Sequence, residues 1–182
     1  MSALKEQFTK TLVPGLKSEL KLSNIHEVPT VTTVTVNVGL GKGLADAKYY
    51  DVVEQTLERI TGQKPLKTLA RKSIANFKVR EGMVVGMKVT LHGKRMWDFL
   101  EKLVAVTFPR VRDFRGISES VVDQAGNMNL GFSEHIAFPE IRSDEIEMIH
   151  GLQVNVTTTA RTREEGLALF RALGFPFKSH TK

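Results

Sequence analysis

Val31-Thr32-Thr33-Val34-Thr35-Val36-Asn37-Val38-Gly39 is the stretch on which the fold of this chain turns. From Thr33 onward the alternation is strict. Val34, Val36 and Val38 point one way, and Thr33, Thr35 and Asn37 point the other. A period of two belongs to an extended strand with one buried and one exposed face. Two further stretches repeat it. Residues 85–92 set Val85, Met87, Val89 and Leu91 against Gly86, Lys88, Thr90 and His92. Residues 152–159 set Leu152, Val154, Val156 and Thr158 against Gln153, Asn155, Thr157 and Thr159. Shorter strands are expected over 66–70 and 129–138.

The segments between the strands carry a helical period. Leu4, Phe8, Leu12, Leu16 and Leu20 form a stripe over residues 3–22, with Pro14 and Gly15 predicting a kink or two short helices. Tyr49, Val53, Leu57 and Ile60 make the apolar face of a helix over 47–61, with Asp46 as its N-cap and Gly62 just past its end. A third helix is expected from about Lys94 to Val106, with Met96, Leu100, Leu103 and Val104 inward and Pro109 ending it. A fourth spans 163–173. Thr162 and Glu165 stand at capping-box spacing, and Gly174 and Pro176 stop it. Amphipathic helices must cover the aliphatic strand faces. The expected architecture is therefore α+β: a mainly antiparallel mixed sheet with helices packed on one face and a polar surface on the other.

That polar surface would carry Thr33, Thr35, Asn37, Lys88, Thr90, His92, Gln153, Asn155, Thr157 and Thr159. Hydroxyls and amides both donate and accept hydrogen bonds, which suits ribose, phosphate and base edges of RNA. No aromatic residue alternates onto it, so stacking on the sheet itself is not expected. Charge points the same way. The formal net charge is +6. Between Gln63 and Arg95 stand Lys64, Lys67, Arg71, Lys72, Lys78, Arg80, Lys88, Lys94 and Arg95 against Glu81 alone, a net of +8, so the remainder nets −2. The exposed part of this segment is a long basic loop, Arg71 to Gly82. From Glu134 to His150 the balance reverses, with five carboxylates against Arg142. Two runs of opposite sign suggest two partners, a polyanion and a basic protein.

Other classes are set aside. With 182 residues the chain suits one compact domain that can bury a core. It has no cysteine, which rules out disulfides, thiolate metal sites and a cysteine nucleophile. The N-terminal residues lack an apolar signal core, so secretion is not expected, and no apolar run is long enough to span a membrane. Gly39-Leu40-Gly41-Lys42-Gly43 invites a nucleotide-binding reading. Its sixth position is Leu44 and Gly43 follows the lysine, so both the dinucleotide and Walker patterns fail, and a tight structural turn is expected. The five histidines form no ligand pair at helical spacing and are read as solvated or hydrogen-bonding. No catalytic constellation, cofactor or metal is expected.

Several blocks resemble a known family. They are Gly62-Gln63-Lys64-Pro65, Lys72-Ser73-Ile74-Ala75-Asn76-Phe77-Lys78-Val79-Arg80-Glu81-Gly82 and Gly86-Met87-Lys88-Val89-Thr90-Leu91. Pro109-Arg110-Val111-Arg112-Asp113-Phe114-Arg115-Gly116, Phe138-Pro139-Glu140-Ile141 and Thr157-Thr158-Thr159-Ala160 follow in order. From about residue 4 to Phe177 the chain resembles the bacterial large-subunit ribosomal protein L5 family, the 5S-rRNA binders of the central protuberance. The resemblance implies a single ribosomal RNA-binding domain over 1–182, ribosome-bound in the cytoplasm and without catalysis. It implies as partners 5S rRNA, 23S rRNA, P-site tRNA, a basic small-subunit head protein and neighbouring 5S-binding ribosomal proteins, and no membrane. Carried over by position, 5S binding falls on Asn37, Gln63, Lys64, Thr68 and Thr90. The tRNA-contacting loop falls on Lys72, Ser73, Asn76, Lys78 and Arg80. The intersubunit bridge falls on Arg110, Arg112, Glu140, Asp144 and Glu145. Met128, Glu134-His135 and Arg142-Ser143-Asp144 depart from the family's usual residues, all in the region of the implied bridge. The residues alone leave two rival classes: an enzyme using the Gly39–Gly43 turn as a phosphate cradle, and an adaptor working through its acidic stretch.

Overall fold

The computed structural model describes residues 3–41, 47–141 and 148–178. Five strands form one open antiparallel sheet: β1 (Val31–Gly39), β2 (Leu66–Leu69), β3 (Val84–Leu91), β4 (Met128–Phe132) and β5 (Leu152–Thr158), in the spatial order β2-β3-β1-β5-β4. The helical segments are α1 (Ala3–Gln7), α2 (Val13–Glu19), α3 (Ala47–Thr61), α4 (Gly93–Lys102), α5 (Phe108–Arg110) and α6 (Arg163–Ala172). The expected α+β class is the observed one. The chain divides into two compact units. Unit 1 holds Met1–Val34, Leu91–Leu130 and Asn155–Lys182, and unit 2 holds Thr35–Thr90 and Gly131–Val154. The boundary passes within β1, β3, β4 and β5.

In unit 2 Val36, Val38, Met87 and Val89 of β1 and β3 are buried, and so are Tyr49, Val53, Leu57 and Ile60, the four α3 positions that the period predicts. The Tyr50 hydroxyl of α3 donates to the Val84 carbonyl of β3 at 3.4 Å. Gly62 adopts φ +67, the left-handed conformation that lets the helix end without a Cβ penalty. The expected cap Asp46 lies outside the described residues. In unit 1 aliphatic side chains such as Leu16, Leu100, Leu103 and Leu169 share the core with aromatic pairs. Phe8 packs on Trp97 at 5.1 Å between centroids, and Phe175 meets Phe108 at 5.9 Å and Phe170 at 5.5 Å. Gly126 and Gly166 cross so closely that a Cβ on Gly166 would lie 2.6 Å from the Gly126 Cα.

Three expectations are corrected. The third helix does not end at Pro109: α5 carries that proline in its first turn and runs to Arg110. A five-residue π-helical turn, Leu103–Thr107, precedes it, and the N–H of Phe108 donates to the Leu103 carbonyl. The same device stands before Pro14, where the turn Phe8–Leu12 lets Val13 donate to Phe8. A proline ring clashes with the carbonyl four residues back, and a widened turn moves that carbonyl aside. Second, the strand expected over 129–138 is β4 alone, followed by a 3₁₀ turn at His135–Ala137. Third, Val85 is only half-buried. The pairing of β2 with β3 runs Leu66 to Lys88, Lys67 to Met87 and Thr68 to Gly86, then jumps to Leu69 with Val84, so Val85 is the extra residue of a bulge.

Candidate nucleic-acid interface

The five residues nominated for 5S rRNA all fall in unit 2. Thr61 closes α3 by donating its hydroxyl to the Leu57 carbonyl at 2.6 Å, and the Gln63 N–H donates to that hydroxyl oxygen at 3.3 Å. The turn at Gly62 aims the Gln63 side chain at β3, where Nε2 donates to the Thr90 carbonyl at 3.4 Å. Thr68 sits opposite Gly86. A Cβ on Gly86 would lie 2.9 Å from Thr68 Oγ1 and 3.0 Å from the Val38 carbonyl, so only glycine lets three neighbouring strands close up here. Gly86 is accordingly buried although it belongs to the polar face. Asn37, Gln63, Thr68 and Thr90 are half-exposed, while Lys64 and Lys88 are exposed.

Lys64 is not a free cation. The Glu54 carboxylate on α3 lies 2.9 Å from Lys67 Nζ and 3.5 Å from Lys64 Nζ. The hydrogen bond from Lys67, more than any other influence, holds the Glu54 carboxyl below the usual carboxylate range. Two of the nine cations in the basic segment are thus partly neutralised within the fold. Sequence reasoning missed this pairing, because Glu54 lies back along α3, outside the segment.

Between β2 and β3 the basic loop is a structured hairpin. The Ala70 N–H donates to the Met83 carbonyl at 2.8 Å, and Ile74 and Val79 exchange N–H to carbonyl bonds at 2.9 and 3.3 Å. The Glu81 N–H donates to Ser73 Oγ at 2.9 Å, so the nominated Ser73 has a role inside the hairpin. Ala75–Phe77 form a 3₁₀ turn, and Lys78 closes it in the left-handed region at φ 54. Arg71, Lys72, Lys78 and Arg80 are exposed and form no ion pair with a described residue. Phe77, at 69%, is the most exposed large apolar side chain among the described residues. Its place between Asn76 and Lys78 in a basic loop was the available signal. Leu66, also exposed, shares the polar face through its pairing with Lys88.

Elsewhere the polar face is partly committed. In unit 1 the Asn155 amide donates to Asn129 Oδ1, and the Thr30 N–H donates to Thr159 Oγ1 at 2.9 Å. Of the bridge nominees, Arg110 and Arg112 are exposed in unit 1, Glu140 is half-buried in unit 2, and Asp144 and Glu145 lie outside the described residues. Of the Gly39–Gly43 turn, Leu40 is buried with its N–H donating to the Val85 carbonyl, and Lys42 and Gly43 lie outside the described residues. Two histidines read as solvated or hydrogen-bonding are buried: His135 and His150 stack at 4.2 Å in unit 2, and His150 and Tyr49 pack edge to face. Burial is the main cause that lowers the pKa of both, and it takes His150 to about 4.

Two family models match the chain. "Ribosomal protein L5" matches residues 24–80, and the model of the C-terminus of the same ribosomal family matches residues 84–177. The chain belongs to the ribosomal protein L5 family. As an L5 family member it is a structural constituent of the ribosome that binds rRNA within a ribonucleoprotein particle, and the family is structural rather than enzymatic. The junction of the two matches falls within the tract 81–83, at the end of the basic hairpin. No helix among the described residues is long and apolar enough to cross a membrane.

Proposed function

We propose that this L5 family member binds 5S rRNA and helps attach it to 23S rRNA in the central protuberance of the large subunit. Its basic hairpin contacts P-site tRNA, and a second surface bridges to the small-subunit head. The chain acts in the cytoplasm, bound to the ribosome, as a single RNA-binding domain without catalysis of its own. The observation that carries the reading is the convergence in unit 2. Asn37, Gln63, Thr68 and Thr90 lie on or beside one polar sheet surface. The strands β2 and β3 continue from it into four cations that pair with no described residue. Amides and hydroxyls fix register on folded RNA while lysine and arginine neutralise phosphates. The bridge is assigned to Arg110, Arg112, Glu140, Asp144 and Glu145 by family resemblance, and the acidic run from Glu134 to His150 suits a basic partner there.

A gel-shift titration with 5S rRNA tests the reading, run against an unrelated structured RNA of equal length at the same salt. Clear preference for 5S rRNA supports it. Equal binding to both RNAs would leave only generic attraction of a basic protein for a polyanion and would return weight to the adaptor reading.

A further inference from the structure

We propose that Phe77 is a stacking platform for one unpaired nucleobase of a folded RNA, so that the hairpin recognises a base as well as phosphates. The inference rests on the reading that this hairpin faces RNA. A single exposed apolar residue is ordinary on a protein surface. Phe77 differs in how it is held. The backbone beneath it is fixed by the Ile74–Val79 exchange and the Ser73–Glu81 bond, and the Ala75–Phe77 turn closes through the Lys78 N–H to the Ala75 carbonyl at 3.0 Å. That closure places Lys78, a residue with a Cβ, at φ 54, a strained conformation kept only where the surroundings impose it. The structure thus commits backbone strain and several hydrogen bonds to presenting a ring that remains 69% exposed.

The surroundings select the occupant. Lys72, Lys78 and Arg80 are exposed nearby in the chain and pair with no described residue, which favours an anionic partner over an apolar protein groove. A base presents a flat π-face attached to phosphates, matching a ring flanked by cations. On a held backbone an aromatic side chain has only two torsions to lose on contact. The base could belong to tRNA or to rRNA, and the chemistry is the same for both.

The test uses ribosomes in which the parent chain is replaced by Phe77→Ala, Phe77→Leu, Phe77→Trp, Lys78→Ala or Arg80→Ala. Base-specific chemical reactivity is mapped across P-site tRNA, 5S rRNA and 23S rRNA, and tRNA dissociation is timed. We expect one unpaired base to be protected by Phe and by Trp, and to become reactive in Phe77→Ala and Phe77→Leu. If that base lies in tRNA, its release should quicken by roughly ten-fold, within the range that stacking on one aromatic ring gives. Protection of an rRNA base upholds the stacking role and moves it off tRNA. Should no base in any of the three RNAs change reactivity in Phe77→Ala, the proposal is overturned, and equally so if Leu protects as well as Trp. Failure of the hairpin reading looks different: Lys78→Ala and Arg80→Ala would then leave both tRNA release and the reactivity of all three RNAs unchanged.

Discussion

Single residues set the tightest constraints on this fold, and Gly86 is the clearest. Its missing Cβ is what admits Thr68 Oγ1 and the Val38 carbonyl on either side. We expect Gly86→Ala to cost about 1–3 kcal/mol, as overpacking does, measured by urea denaturation. His150 makes a prediction of opposite kind. Its folded pKa, about 4, lies below the ordinary histidine value of 6.5. The unfolded chain therefore takes up a proton before the native one does. Stability is whole above pH 6.5 and is lost as pH falls toward 4, by on the order of 3 kcal/mol at most. Neighbouring His135 opposes the charge on His150, and Glu134 acts on His135 in the other direction. His150→Phe should flatten this acid slope in denaturation curves taken between about pH 6.5 and 4, the window set by the two pKa values. Glu54 concerns binding instead. Glu54→Gln releases Lys64 and Lys67 for phosphate, so the salt dependence of 5S rRNA binding should steepen. An unchanged slope would mean that neither lysine meets the RNA.

At the scale of elements, hydrophobic period decided most of the architecture, and local chemistry decided its ends. The alternation in Val31–Gly39 and Leu152–Thr158 and the four-residue stripe of α3 were legible because each element buries one face. The α6 cap was legible too: Thr162 Oγ1 accepts from the Glu165 N–H at 3.3 Å, while Glu165 accepts from the Arg161 N–H at 2.8 Å. Thr162→Ala should cost about 1 kcal/mol of stability in the same denaturation assay. What the sequence hid depends on backbone events without a periodic signature. The two π-helical turns before Pro14 and Pro109 and the bulge at Val85 each insert one residue, which shifts the pattern without announcing itself. Among the candidate contacts, the polar surface was legible residue by residue. The use of Lys64 by Glu54, of Ser73 by Glu81 and of Asn155 by Asn129 was not, because partners apart along the chain must first be brought together by the fold.

For the whole molecule the deciding quantity is the distribution of charge rather than its total. A net of +6 is modest, but the hairpin gathers four cations that pair with no described residue. Log affinity for RNA should fall linearly with log salt, by roughly 0.9 for each phosphate neutralised on a duplex and about 0.7 on a single strand. Lys78→Ala should lower that slope by about one phosphate's share while leaving the melting temperature close to the parent's. A flat response would contradict the assignment. β2 stands at the end of the sheet, and its Leu66 and Leu69 are 64% and 57% exposed. An exposed edge strand is a template for pairing with a second copy, but a strand of four residues that carries Lys67 offers such a copy few ladder bonds and a charge to bury. Shortness and charge thus guard this border against the stickiness that its two leucines would otherwise give it.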